Sequence, residues 1–561
     1  MNSDQSFLIT RRNFVASSLA AAGGAVTMGI PISSWAAGKA PVATTVNGPV
    51  LGYATANVNV FKGIPYGAPT GGSARFKRST HPSPWSEPRV THAVGDPCYQ
   101  INEDWKGWVD NRNGSEDCLV LNVWSPIGAE RKPVMVFLHG GAYRFGSGGA
   151  QLYDGENLSE RGDVVVVTVN HRLHALGFTY FADLAPQAGF ATNVGLLDLV
   201  DALEWVKANI AQFGGDPGNV TIFGESGGGG KVSCLMAMPS AKGLFHRAIV
   251  QSGAQRRLRT REEATKDTIA LLKELNLGEK DAVKLTDVPV EKLFAAFKKV
   301  LEDGSSAPEL PTAFSPVMDG EILPWNPTDD EALKLSSSVP KMYGTNAHET
   351  AYYLDFAGLL TVPKSDDDVV RDTAAFFKTK FKPEHSAEIA KLLADYKARS
   401  PNEPLDRIKG RIISDLWMAS DAVKAATRAS LDASAAPVYH YMFTWEEPYK
   451  GDFWSIHGAE LLFVFGRVDA DEMWGEAGAP TARADRDPEG MRYILRDDII
   501  SAWTSFAKDG KPHLKDKTEW TAFDAEGLRS MVFGKISALE SDIFGPRTRE
   551  LFSRIELGVG A

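Results

Sequence analysis

Two short runs limit what this chain can fold into. Val134-Met135-Val136-Phe137-Leu138 and Val164 to Val169 are apolar, rich in β-branched residues and free of charge. A strand with one wet face alternates apolar and polar side chains, so continuous runs of this kind belong to strands covered on both faces. Val220–Phe223 and Ala248-Ile249-Val250 have the same character. Between them, Leu196 to Ala211 spaces Leu199, Leu203, Val206 and Ile210 along one helical face. Strand and helix in alternation predict an α/β fold with a mostly parallel sheet and helices on both faces.

Composition narrows the class. Hydrophobic residues make up 43% and charged residues 23% of the 561 positions, which excludes disordered and collagen-like chains. A formal net charge of −11 argues against nucleic-acid binding. Three cysteines are too few for a disulfide scaffold or a four-cysteine metal site, and no cofactor or metal is expected. Cys234, inside Val232-Ser233-Cys234-Leu235-Met236, reads as a small buried hydrophobe.

The one long apolar stretch is N-terminal. Thr10-Arg11-Arg12-Asn13-Phe14-Val15 precedes the Ala/Gly-rich run Ala16–Ile30, and Ser34-Trp35-Ala36 supplies small residues for cleavage. Residues 1–36 therefore read as a twin-arginine-type export signal, with a periplasmic or secreted mature chain that has no membrane span. Residues 37–561 read as a single catalytic domain. Arg261 to Leu301 and Asp366 to Ser400 are charged and helical in pattern, as expected of insertions lying over the sheet. The prolines near 308–311 and 401–404 are too few for an interdomain linker.

Gly224-Glu225-Ser226-Gly227-Gly228 is the only G-x-S-x-G of the chain. It follows the strand Val220–Phe223 and precedes the helix-like Lys231–Met238, so it predicts a sharp strand-to-helix turn that exposes a nucleophilic serine. A hydroxyl is a weak nucleophile without a base and without stabilisation of the oxyanion. His139-Gly140-Gly141-Ala142-Tyr143 follows the strand Val134–Leu138, where small residues can aim backbone N–H groups at a carbonyl oxygen.

With these motifs in hand, the sequence resembles the type-B carboxylesterases, the cholinesterase-like branch of the α/β-hydrolases. The likeness runs from about Gly48 to about Phe533. It is carried by Phe61-Lys62-Gly63-Ile64-Pro65-Tyr66, Arg75-Phe76, Ser115-Glu116-Asp117-Cys118-Leu119-Val120-Leu121-Asn122-Val123, Asn170-His171-Arg172-Leu173, Asn193-Val194-Gly195-Leu196-Leu197-Asp198 and Phe213-Gly214-Gly215-Asp216-Pro217.

The resemblance implies an α/β-hydrolase fold and a cofactor-free serine esterase acting on a small-molecule ester, with Ser226 as nucleophile. It places the acid at Glu349, in Gly344-Thr345-Asn346-Ala347-His348-Glu349, and the base at His457, in Trp454-Ser455-Ile456-His457-Gly458-Ala459-Glu460. Among the histidines after Glu349, His385 falls in a charged helix, His440 in the strand-like Val438–Phe443 and His513 near a polar turn, which leaves His457; His348 is the alternative beside the acid. The resemblance assigns the oxyanion donors to the N–H groups of Gly141, Ala142 and Gly227. The family usually has glycine where Ala142 stands and alanine where Gly227 stands.

It also implies a Cys98–Cys118 disulfide, closing a loop whose Tyr99, Trp105 and Trp108 would form an aromatic wall for the substrate. Arg256 and Arg257, in the arginine cluster Gln255–Arg261 after the strand Ala248–Val250, are candidates for holding a substrate carboxylate. The other function classes are a binding protein that uses this fold without catalysis, which all three triad residues argue against, and an amidase or acyltransferase with the same triad.

Overall fold

The apolar runs become the middle of one large sheet. The computed structural model describes residues 40–100, 112–304, 313–377, 382, 384–470 and 478–554. The export segment, Trp105 and Trp108 therefore lie outside the described residues. Ala40–Ala561 forms one compact unit.

Eleven strands of the described residues make up the main sheet: β1 (Tyr53–Ala54), β2 (Val58–Pro65), β3 (Val120–Pro126), β4 (Lys132–Leu138), β5 (Val165–Val169), β6 (Gly215–Glu225), β7 (Arg247–Gln251), β8 (Lys341–Asn346), β9 (Val438–Phe443), β10 (Ser530–Phe533) and β11 (Ala538–Glu540). Their spatial order is β11-β10-β9-β8-β7-β6-β4-β5-β3-β2-β1. From β10 to β5 every neighbouring pair is parallel. The pairs at the two edges are antiparallel.

The sequence pattern explains this burial. Val134, Val136 and Leu138 enter one hydrophobic cluster, while Met135 and Phe137 enter another. Val165, Val167 and Val169 likewise face the first cluster and Val164 and Val166 the second. Alternate side chains of one strand thus fill two cores on opposite faces, and the one polar side chain among them, Thr168, is satisfied by donating to the Gly148 carbonyl at 2.6 Å. Each such valine contributes roughly 1.5–3 kcal/mol by leaving water.

Helix α1 (Val194–Asn209) starts two residues before the predicted Leu196 and passes into a 3₁₀ turn, Ile210–Phe213, instead of continuing to Ala211. Gly214, at φ 79°, ends that turn in the left-handed region and returns the chain to β6. Inside α1, Asp198 is fully buried against Arg172: Nε donates to Oδ2 at 2.8 Å and Nη2 to Oδ1 at 2.7 Å. This bidentate pair ties α1 to the segment after β5.

The two charged stretches are helical, as expected. Arg261–Glu274 and Val290–Gly304 form the first pair, with Thr260 and Glu263 completing a capping box. Asp366–Phe377 and His385–Arg399 form the second and pack with Ile412 and Trp417 into a hydrophobic cluster of their own. No helix of the described residues is long and apolar enough to cross a membrane.

Candidate active site

The turn after β6 sets Ser226. Ser226 has φ 56° and ψ −124°, a strained conformation for a residue with a side chain, between Glu225 at the end of β6 and helix α2 (Gly227–Met236). Its N–H donates to the Gln251 carbonyl at 2.9 Å, fixing the turn to the end of β7.

Four consecutive glycines begin α2, although glycine costs about 1 kcal/mol per position relative to alanine in a helix. Close packing demands them. A Cβ on Gly228 would stand 1.9 Å from the Leu138 oxygen, and one on Gly227 2.0 Å from the Ala142 oxygen.

β8 and the loop beyond it deliver Glu349, and the turn after Trp454 delivers His457. Both are buried, and His457 Nδ1–H donates to Glu349 Oε2 at 2.6 Å. The second oxygen of Glu349 accepts from Ser252 Oγ at 2.5 Å and from the Asn346 N–H at 2.7 Å, so the acid is fixed on both sides. His457 Nε2 makes no hydrogen bond among the described residues and lies 3.2 Å from Glu225 Oε1.

Tyr353, on helix α3 (Ala351–Phe356), lies close enough to the Ser226 side chain to act on it electrostatically, and its ring packs 5.4 Å from the imidazole of His457. Ser226, His457 and Glu349 therefore share one neighbourhood, with Tyr353 beside His457 and within reach of Ser226.

Burial opposes charge on His457, but Glu225 and Glu349 outweigh it and raise its pKa to about 9. Burial, opposed by His457 and reinforced by Glu460 and Glu349, pushes Glu225 up to about 8. Glu460 accepts from Gln251 at 3.0 Å and Asn346 at 2.7 Å, and burial raises it to about 7. The base thus sits among three buried carboxyl groups that favour its protonated form.

The loop after β4 reaches over the serine. A Cβ at Gly140 would lie 3.5 Å from Ser226 Cβ, and Gly141 (φ 88°) and Ala142 (φ 55°) both take left-handed backbone. Lys231 of α2 donates to the His139 carbonyl at 2.8 Å and anchors the loop from below.

A sequence model of the carboxylesterase family matches residues 39–539. The chain belongs to the carboxylesterase family. It is 34% identical to the para-nitrobenzyl esterase of Bacillus subtilis over 521 residues, covering 91% of this chain and 98% of that protein. It is 32% identical to liver carboxylesterase 1 of Oryctolagus cuniculus over 520 residues, 86% and 88% of the two chains. Among solved structures it is similar to a Geobacillus stearothermophilus carboxylesterase at a TM-score of 0.75 and 31% identity, covering 91% of this chain and 99% of that one. This carboxylesterase is a carboxylic-ester hydrolase with an α/β-hydrolase fold and a small-molecule ester as substrate.

Other expected positions fall as follows. His348, the alternative base, is a buried structural histidine: its ring meets Trp454 edge-on at 5.4 Å, its Nδ1 accepts from the Ser455 N–H, and burial lowers its pKa to about 3. His440 is bonded to Ser530 at 2.8 Å within the sheet.

The disulfide expected between Cys98 and Cys118 is not formed. Both are buried free thiols, and Cys98 Sγ accepts from the Leu173 N–H at 3.3 Å. Burial alone would raise the Cys98 pKa, but the neighbouring Cys118 and His174 and the Leu173 N–H outweigh it and lower the value to about 6. Cys234 is a buried thiol, as expected. Tyr99 is buried beside Phe294 and is not part of an open wall.

Arg256 lies 3.3 Å from Asp421, and Arg257 pairs with Glu263 at 2.7 Å, so each arginine faces a carboxylate of the protein itself.

Sequence reading missed Tyr353, Ser252, Glu225 and Glu460 as parts of the site. Tyr353 had a usable signal, since it follows Glu349 by one helical turn. Among the described residues no group of three or more histidines, cysteines or acids is placed to hold a metal.

Proposed function

We propose that Ser226, His457 and Glu349 form a catalytic triad that cleaves carboxylic esters through an acyl-enzyme. The observation carrying this reading is the 2.6 Å bond from His457 Nδ1 to a carboxylate already fixed by Ser252 and Asn346. Donation from Nδ1–H to Glu349 selects the tautomer in which Nε2 of the neutral ring bears the lone pair. The carboxyl groups that raise the His457 pKa to about 9 stabilise the imidazolium, so the competent neutral base gains population as pH rises toward that value.

The Ser226 hydroxyl gives its proton to Nε2 of the neutral imidazole, and Oγ attacks the ester carbonyl. Backbone N–H groups of Gly141, Ala142 and Gly227 stabilise the oxyanion. His457 then passes the proton to the leaving alcohol, and water repeats the cycle on the acyl group. Glu225 and the neighbouring carboxyls hold the proton on His457 during transfer.

The test is hydrolysis of chromogenic acyl esters together with labelling by a fluorophosphonate. One label per chain is expected, on the peptide carrying Ser226. A label on another residue, or none while hydrolysis persists, would remove Ser226 from the mechanism.

We further propose that the chain is exported and cleaved before Ala37, and that Cys98 and Cys118 join there. The nearness of these two buried thiols is compatible with closure in an oxidising compartment. Peptide mapping of exported, unreduced protein is expected to begin at Ala37, with Cys98 linked to Cys118 and Cys234 free. An intact N-terminus, or a disulfide containing Cys234, contradicts this reading.

A further inference from the structure

Arg144 stands two residues beyond Ala142 in the loop over the nucleophile, and its N–H donates to the Gly141 carbonyl at 3.1 Å. Its guanidinium Nε is buried without a hydrogen bond among the described residues. Several buried arginines have a carboxylate: Arg75 has Glu116 at 2.6 Å, Arg172 has Asp198 at 2.7 Å and Arg492 has Asp487 at 3.0 Å. Among the described residues Arg144 forms no such pair.

Burial pushes its pKa down, opposed only by the phenols of Tyr353 and Tyr352. A guanidinium nevertheless stays charged at any working pH. Among the described residues the fold therefore leaves a half-buried cation, its Nε enclosed, with no carboxylate to pair with.

The nearby carboxyl groups do not answer it. Glu349 is engaged by His457, Ser252 and Asn346, and Glu460 by Gln251 and Asn346. Glu225 interacts with His457, Glu460, Glu349 and Lys231. Tyr353, whose ring packs 5.4 Å from His457, lies within electrostatic reach of both Arg144 and Ser226, so the cation and the nucleophile share a neighbour.

We propose that Arg144 recognises a free carboxylate on the substrate, so that the preferred esters are anionic, such as half-esters of dicarboxylic acids. This rests on Ser226 being the nucleophile. A substrate carboxylate supplies the counter-charge that the fold omits, and the planar guanidinium can donate two parallel hydrogen bonds to it. A neutral ester leaves the cation unpaired. Arg256 and Arg257 do not compete for this role, because Asp421 and Glu263 face them.

The test compares kcat/KM for mono(4-nitrophenyl) glutarate with that for 4-nitrophenyl butyrate, two esters of similar length. The wild type is expected to favour the glutarate, and Arg144→Gln to lower the glutarate-to-butyrate ratio by roughly 30-fold, the scale of one charge-assisted contact. Arg144→Lys keeps the charge and is expected to retain part of the preference, which mere misfolding would not produce. A wild-type ratio near one, or an Arg144→Gln ratio equal to that of the wild type, overturns the proposal.

Calorimetry with glutarate separates this from the triad reading. Ser226→Ala protein is expected to bind glutarate, and Ser226→Ala/Arg144→Gln to bind it much more weakly. Glutarate that binds both equally, or neither, rejects the role of Arg144 whatever the triad does. Ester hydrolysis surviving in Ser226→Ala rejects the triad, whatever glutarate does.

Discussion

Ser226→Ala is expected to lower kcat/KM for a chromogenic ester by about 10⁴–10⁶-fold, and His457→Ala by a similar factor. Without Oγ no acyl-enzyme can form. Without Nε2 the hydroxyl keeps its proton, and the buried Glu225 beside it cannot replace an imidazole held at 2.6 Å from its acid. The double variant is expected to be scarcely worse than either single one, because nucleophile and base act as a unit. The residual rate comes from oxyanion stabilisation and binding. Purified Ser226→Ala that retained even one part in a hundred of wild-type turnover would falsify the assignment.

The second large effect comes from a single methyl group. Gly227→Ala introduces the residue that the family usually carries after its nucleophile, yet here the new Cβ would lie 2.0 Å from the Ala142 carbonyl oxygen and 2.5 Å from its Cα. The contacts are to backbone, so the loop has to move, and with it the N–H groups aimed at the oxyanion. A displaced donor costs about 10²–10³ in kcat. The two departures from the family pattern, alanine at 142 and glycine at 227, thus meet in space and read as one exchange. Ala142→Gly in the same chain is expected to recover most of the loss, because glycine holds the φ of 55° without strain and lets the loop shift. The check is a double-mutant cycle on kcat with melting temperatures beside it. Equal losses in Gly227→Ala with and without Ala142→Gly would show that the sites are independent.

How much was readable in advance depended on whether a signal was local. Val134–Leu138 and Val164–Val169 announced central strands because burial on both faces writes itself into composition. Ser226 announced itself because a strained turn needs glycine neighbours. Glu349 had no such local signature and was reached through the family likeness, while elimination among the later histidines agreed with that likeness on His457.

Lys231 and Arg144 could not be placed from sequence. A charged residue in an apolar helix or a glycine loop reads as solvated until packing shows it buried. The arginines after β7 erred in the other direction: as a string of letters they formed a cluster, whereas in space Asp421 and Glu263, one of them far along the chain, face them. Partners distant in sequence are what a linear reading lacks. The thiol pair illustrates the same limit, since nearness of Cys98 and Cys118 does not decide whether they are oxidised.

The parallel sheet also has a consequence for how activity is acquired. Ser226 follows β6, Glu349 follows β8 and His457 comes after β9, and these strands lie side by side only once β7 is inserted among them. No fragment that ends before residue 457 can contain the full set. Pairings between such distant segments form late, because each closes a long loop before any contact rewards it. In a refolding time course, regained ester turnover should therefore mark the completed assembly of the sheet and lag behind the return of helical signal.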